Sequence, residues 1–174
     1  MLRIMFVYGA IAGVVIISIM TAGMVFSEGG GSQVQGYLTM IVVLSLIFVG
    51  VKRYRDKELG GVIKFLPAFG LGVGIAAVAA VFYVLSWEVS LHLTDFAFVD
   101  AYKDATIAGY EAKGLVGDAL SSKVENLESM MASYRNNPAY RMPITFVEIF
   151  PVGLVVALIS AALLRNPKVF PARA

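Results

Sequence analysis

MPITFVEIFPVGLVVALISAALL, residues 142–164, decides the fold class. The stretch holds a single ionisable group, Glu148, between Arg141 and Arg165. About 20 apolar residues cross the hydrocarbon core of a bilayer as a helix, so this run is long enough to span one. Three more runs between charges carry no charge at all: residues 4–27, 29–51 and 65–87. The second is marginal, because it opens with the polar, flexible GGGSQVQG and its apolar part is only Tyr37 to Val51. It is expected to be a short span, or one that thins the bilayer locally. The expected spans are 4–26, 34–51, 65–87 and 142–164. The first run is too long for a cleaved signal core, and no A-x-A pattern precedes Ser27 and Glu28, so it reads as a retained helix.

Composition agrees. Hydrophobic residues make up 59% of the 174-residue chain and charged residues 15%, with a mean hydropathy of +0.80. Soluble domains are about a quarter charged. Without cysteine there is no disulfide, thiolate metal site, cysteine nucleophile or lipobox-type anchor. One histidine, His92, rules out a multi-histidine metal site within one chain. No Walker loop, G-x-S-x-G, HExxH or pair of carboxylates on one span occurs. No enzyme, cofactor, metal or nucleic-acid partner is therefore expected, unless a partner protein completes a site.

Lysine and arginine placement sets the expected orientation. With four crossings and the N-terminus inside, the inner segments hold Arg3, Lys52, Arg53, Arg55, Lys57, Lys64, Arg165, Lys168 and Arg173 against Asp56 and Glu58. The outer segments hold Lys103, Lys113, Lys123, Arg135 and Arg141. Against these stand Glu28, Glu88, Asp95, Asp100, Asp104, Glu111, Asp118, Glu125 and Glu128. The bias favours both termini inside. Lys52, Arg53, Arg55 and Lys57 read as inner-leaflet anchors; a specific phospholipid site would need a pocket. Gly60 and Gly61 offer a turn in the same loop.

The connection before the last span, 94–138, is expected to be an extracytoplasmic pair of amphipathic helices. Phe96, Val99, Tyr102, Ile107 and Tyr110 lie at loosely helical spacing. Leu120, Val124, Leu127, Met131 and Tyr134 form a tighter seam. Ser122 with Glu125 matches a capping box, and Asn136, Asn137 and Pro138 stop the helix. The seam could pack on the partner helix or the membrane domain, or pair through 95–136 with another copy or another membrane protein. Lying on lipid is the weakest reading, since the polar face is acidic.

Small residues mark close helix contacts in lipid. Gly9 and Gly13 are four apart, as are Gly70 and Gly74 with Gly72 between them, and Gly153 leads a stripe with Ala157 and Ala161. Glu148 is the candidate functional polar site, since an ionisable group inside a span is a functional hypothesis by default; the alternative is that it hydrogen-bonds across helices and fixes the packing of the last span. Arg141, seven residues earlier, His92 and Tyr83 are its candidate neighbours, with Trp87 and the more distant Tyr8 behind them. Trp87 reads most simply as an aromatic-belt anchor. Pro151 has no N–H for the Val147 carbonyl and is expected to kink the helix.

GYLTMIVVLSLIFVGVKRYRDKELGGVIKF at 36–65, FVEIFPVGLVVALISAALL at 146–164 and the long charged connection before the last helix together carry a likeness. They resemble a bacterial family of four-helix inner-membrane proteins, domain of unknown function 4199, over essentially the whole chain. The resemblance implies an N-in, four-span topology in the bacterial inner membrane and no known activity. Two functional readings stand. One is a non-enzymatic protein acting by association, as accessory subunit or homo-oligomer. The other is a small oligomeric transporter or channel using Glu148 as a proton or cation site.

Overall fold

A computed structural model describes residues 1–26 and 33–172. The cleavage-site reading at Ser27, the outer charge Glu28, most of the GGGSQ segment and the inner charge Arg173 lie outside the described residues. The described chain is all-α. The helices are α1 (Leu2–Phe26), α2 (Gln33–Leu44), α3 (Leu46–Glu58), α4 (Phe65–Leu93), α5 (Ala97–Ala112), α6 (Gly117–Asn136) and α7 (Pro138–Leu164). Four stretches are long and apolar enough to cross a membrane: Leu2–Gly23, Gly36–Glu58, Phe65–Leu93 and Pro138–Leu164. The protein is therefore a multi-pass membrane protein by length and composition of its helices.

The helix of the second span runs past the expected end at Val51, through the basic cluster to Glu58, so the stretch Gly36–Glu58 has 23 residues. Ser45 separates α2 from α3 without reversing the chain. Its backbone stays in the right-handed helical region, and its N–H donates to the Ile41 and Val42 carbonyls at 3.1 and 3.3 Å. Its hydroxyl donates back to the Val42 carbonyl at 2.6 Å, the bond by which serine competes with the helical ladder. At the other end of the loop, Gly60 (φ 63°) and Gly61 (φ 92°) make the left-handed turn that leads into α4.

The chain forms two compact units, residues 1–87 with 145–174, and residues 88–144. In the first, α4 is the central element: half of its apolar window is buried, against about a third or less for the other spans. Its core face carries Leu71, Ile75, Ala79 and Tyr83. Ala12 and Ile16 of α1, Met40, Leu44, Ile47 and Val51 of α2 and α3, and Ile149, Ala157, Ala161 and Leu164 of α7 are buried with it. The lipid-facing surfaces are apolar as a bilayer requires, with Phe6, Ile11, Leu38, Val42, Leu66, Leu85, Val147 and Val155 exposed.

Glycine sets how closely these helices approach. A methyl at Gly13 would lie 2.4 Å from the Ala79 carbonyl oxygen, and one at Gly9 would lie 2.6 Å from Val78 Cβ. Gly153 sits against Ala76, Gly72 against Ala157, and Gly74 against Met5. Gly70 is the exception. It is exposed, nothing lies within 4 Å of where its Cβ would be, and it makes no helix contact. The Gly70/Gly74 spacing is right for a packing stripe, but the face of α4 that meets α7 runs through Gly72 instead.

In the second unit α5 and α6 form a helical hairpin. Val99 and Leu127 are buried, and Leu120, Val124, Met131 and Tyr134 are half-buried along the expected seam. The seam is therefore the buried face of α6, which packs against α5. Two details differ from expectation. Tyr102 is 45% exposed, and Lys103 takes the half-buried register position next to Val99. Ser122 is inside α6, whose N-cap is Val116 without any side-chain cap. The left-handed Gly114 (φ 78°) and Gly117 (φ 59°) set that start, because the turn between the helices needs them there. Asp118 in the first turn then complements the helix dipole.

Gly13→Ala is expected to destabilise the bundle by about 2 kcal/mol or more, since the carbonyl it meets cannot move without its helix. Gly70→Ala should be neutral or slightly stabilising, because alanine is the better helix former by about 1 kcal/mol. Thermal unfolding in detergent, followed by the fluorescence of the single tryptophan, distinguishes the two; equal losses would contradict the packing described.

Candidate functional site

Glu148 and Tyr83 meet within the membrane bundle. Tyr83 faces the core from α4 and is 2% exposed. Glu148 lies on α7, one residue before the buried Ile149 and three after the buried Thr145. It sits at the edge of the packed stripe, and its residue surface is exposed. Protein crowds the carboxyl on one side, where Tyr83 hydrogen-bonds it. The same phenol oxygen lies 3.6 Å from Met20 Sδ. A phenol has one proton to give, and a carboxylate accepts it far better than a thioether. The helix continues through Pro151, whose ring is exposed on the same side of α7 as Glu148.

The other two candidates, Arg141 and His92, belong to the second unit, where Arg141 is the centre of a different cluster. Arg141 is 1% exposed. Its Nε donates to Glu88 Oε1 at 2.6 Å and its Nη2 to Oε2 at 2.5 Å, the bidentate fork that arginine geometry favours. Its Nη1 donates to the Tyr134 and Arg135 carbonyls at 3.0 and 2.8 Å. Those carbonyls end α6, where helical partners run out and the dipole is negative. One cation thus caps α6 while pairing with a carboxylate of α4.

Phe96 completes this cluster. The guanidinium groups of Arg141 and Arg135 lie 5.2 and 5.3 Å from its ring centre, and the His92 ring meets it edge-on at 5.3 Å. Asp95 (φ 47°) and Phe96 (φ 60°) are left-handed, a costly conformation for side-chain-bearing residues. The Phe96 N–H closes the end of α4 by donating to the Leu91 carbonyl at 2.8 Å. Arg135 also pairs with Asp100 at 3.2 Å, tying the C-terminal end of α6 to the first turn of α5. His92 is exposed, with Nδ1 2.7 Å from the Glu88 carbonyl oxygen.

The three residues predicted around one carboxylate therefore divide. Tyr83 accompanies Glu148, while Arg141 and His92 accompany Glu88. Trp87 is buried, at 7% exposed. Tyr8 packs beside Gly50 of α3. Sequence reasoning missed the role of Glu88. It lies 53 positions from Arg141, and the only available signal was that each sits beside the end of an apolar run.

The inner-leaflet set is also corrected. Arg53 and Lys57 are exposed, and Lys52 pairs with Asp56 one turn on. Arg55 is 0% exposed and cannot meet a headgroup. Its Nε donates to Asp56 at 2.7 Å, and its Nη1 to the Val169 and Leu164 carbonyls at 3.0 and 3.4 Å. Its Nη2 donates to the Phe170 carbonyl. Phe170 in turn meets Phe48 edge-on at 5.3 Å. Arg55 thus fastens the segment after α7 to α3. Among the described residues no three His, Asp or Glu side chains are grouped to hold a metal ion.

Arg141→Met should destabilise the second unit by about 3 kcal/mol, because it leaves Glu88 and two helix-end carbonyls without their donor. Glu88→Gln should cost less, since the carbonyl caps remain. A double-mutant cycle by hydrogen exchange of residues 88–144 should give a coupling above about 1 kcal/mol; additivity would contradict the pairing.

No curated protein and no solved structure matches this chain. The family model described as Protein of unknown function (DUF4199) matches residues 7–166, nearly the whole of the fold and both clusters just described, and the chain belongs to that family.

Proposed function

We propose that the protein is a non-enzymatic, multi-pass protein of the bacterial inner membrane that acts by association, as an accessory subunit or a homo-oligomer. The basic residues of the loops support both termini inside and an extracytoplasmic hairpin. The observation that carries association is Glu148 on the outward surface of α7. Val147 (64% exposed) and Val155 (56%) flank it on that surface. Lipid tails offer a carboxyl no hydrogen bond, whereas a neighbouring helix can. The hairpin contributes less to this reading, because its apolar seam is already occupied.

The chain has no cysteine, so single substitutions report neighbours without background. Val155→Cys in native membranes is expected to cross-link to a second protein or a second copy. Leu66→Cys, on an exposed face of α4, should not. Equal and negligible cross-linking at both positions would overturn the proposal.

The Tyr83–Glu148 hydrogen bond favours one second reading, an oligomeric proton or cation pathway through this site. On that reading Glu148→Gln abolishes flux into liposomes. On the association reading the wild type conducts nothing above protein-free liposomes.

A further inference from the structure

We propose that the outward face of α7 around Glu148 receives a transmembrane helix of a different protein, one that carries a lysine or arginine at matching depth. The inference rests on the association reading and specifies its partner. The site is rich in acceptors and poor in donors. A carboxylate can accept about four hydrogen bonds, and the phenol of Tyr83 supplies one donor at most. One residue away, the Val147 carbonyl has lost its helical donor, because Pro151 carries no N–H. Val147, Glu148 and Pro151 are all exposed. Two acceptors therefore stand together on an otherwise apolar, lipid-facing surface, and a long cationic side chain with several N–H groups complements both at once.

A second copy of this chain does not offer that complement. Its orientation in the membrane would be the same, so groups at equal depth would face each other. Glu148 is about 24 Å along α7 from Leu164, well towards the far side from the termini. The exposed cations of the spans, Arg3 at the start of α1 and Arg53 and Lys57 in the last turns of α3, are near the other end. Lys52 is paired with Asp56, and Arg55 and Arg141 are buried among their own partners. Among the described residues, no outward lysine or arginine of the spans lies at the depth of Glu148. The complementary charge must come from elsewhere.

The test uses the full-length protein in phosphatidylcholine liposomes with dansyl-labelled, tryptophan-free Leu/Ala peptides long enough to span. The peptides carry Lys, Leu or Glu at the depth of Glu148, and energy transfer from the single tryptophan, Trp87, reports binding. The Lys peptide is expected to reach half-maximal transfer at about tenfold lower peptide-to-lipid ratio than the Leu peptide. The Glu peptide should be no better than Leu. Glu148→Leu should remove the Lys preference, and Glu148→Gln, of nearly the same shape, should leave only part of it.

Indistinguishable Lys and Leu peptides, or a preference that survives in Glu148→Leu, would overturn the proposal. Val155→Cys cross-linking in the same liposomes separates the two levels. Self-cross-linking without a Lys preference leaves association standing and sinks the basic-helix partner. Neither self-cross-linking nor any peptide response sinks both.

Discussion

The Gly13 backbone lies against the Ala79 carbonyl of α4 so closely that a single methyl would come within 2.4 Å of that oxygen. The membrane bundle depends on approaches of this kind. Between helices in lipid there is no hydrophobic force, since the tails are as apolar as leucine, so association relies on contact area and on backbone proximity. Gly9 and Gly13 give α1 that proximity to α4, and Gly153 and Ala157 give it to α7 through Ala76 and Gly72. Ile47 of α3 fills the junction, near both Gly72 and Gly153. The central position of α4 follows from having small residues on two faces.

Two buried arginines solve a second problem that the same environment poses. The last carbonyls of a helix have no helical donors, and a membrane or a protein interior supplies little water to replace them. Arg55 serves the end of α7 and the segment after it, and Arg141 serves the end of α6. Each also has a carboxylate beside it, Asp56 or Glu88, so neither charge is buried alone. Lysine would not replace them, because a point charge cannot reach a carboxylate and two carbonyls in a fixed fork. Glu148 differs from Asp56 and Glu88 in having an exposed surface and, among the described residues of its unit, no such cation. That contrast is why the proposed partner is placed at Glu148 and not at the better-paired carboxylates.

Much of this was legible in the residue order. Three charge-free runs and one broken only by Glu148 located four spans, and the steps of four and three from Leu120 to Tyr134 identified the buried face of α6. Where reading failed, spacing was right and context was absent. Gly70 and Gly74 have packing spacing, but only Gly74 meets a neighbouring helix, at Met5. Ser122 and Glu125 have capping spacing, but the turn at Gly114 and Gly117 starts the helix sooner. Arg55 has the composition of a headgroup anchor, but the segment after α7 folds over it.

The sequence by itself determined that the chain crosses a membrane, how many times, and which residues are too polar to face lipid alone. Those properties depend on transfer of local segments from water to hydrocarbon, and composition within about 20 residues decides it. Only the tertiary structure decided which polar group meets which. Tyr83 with Glu148, Arg141 with Glu88 and Arg55 with the carbonyls of Leu164 and Val169 are pairings between distant positions. They are set by how helices rotate against one another as their small residues come into contact, and no local pattern records that rotation.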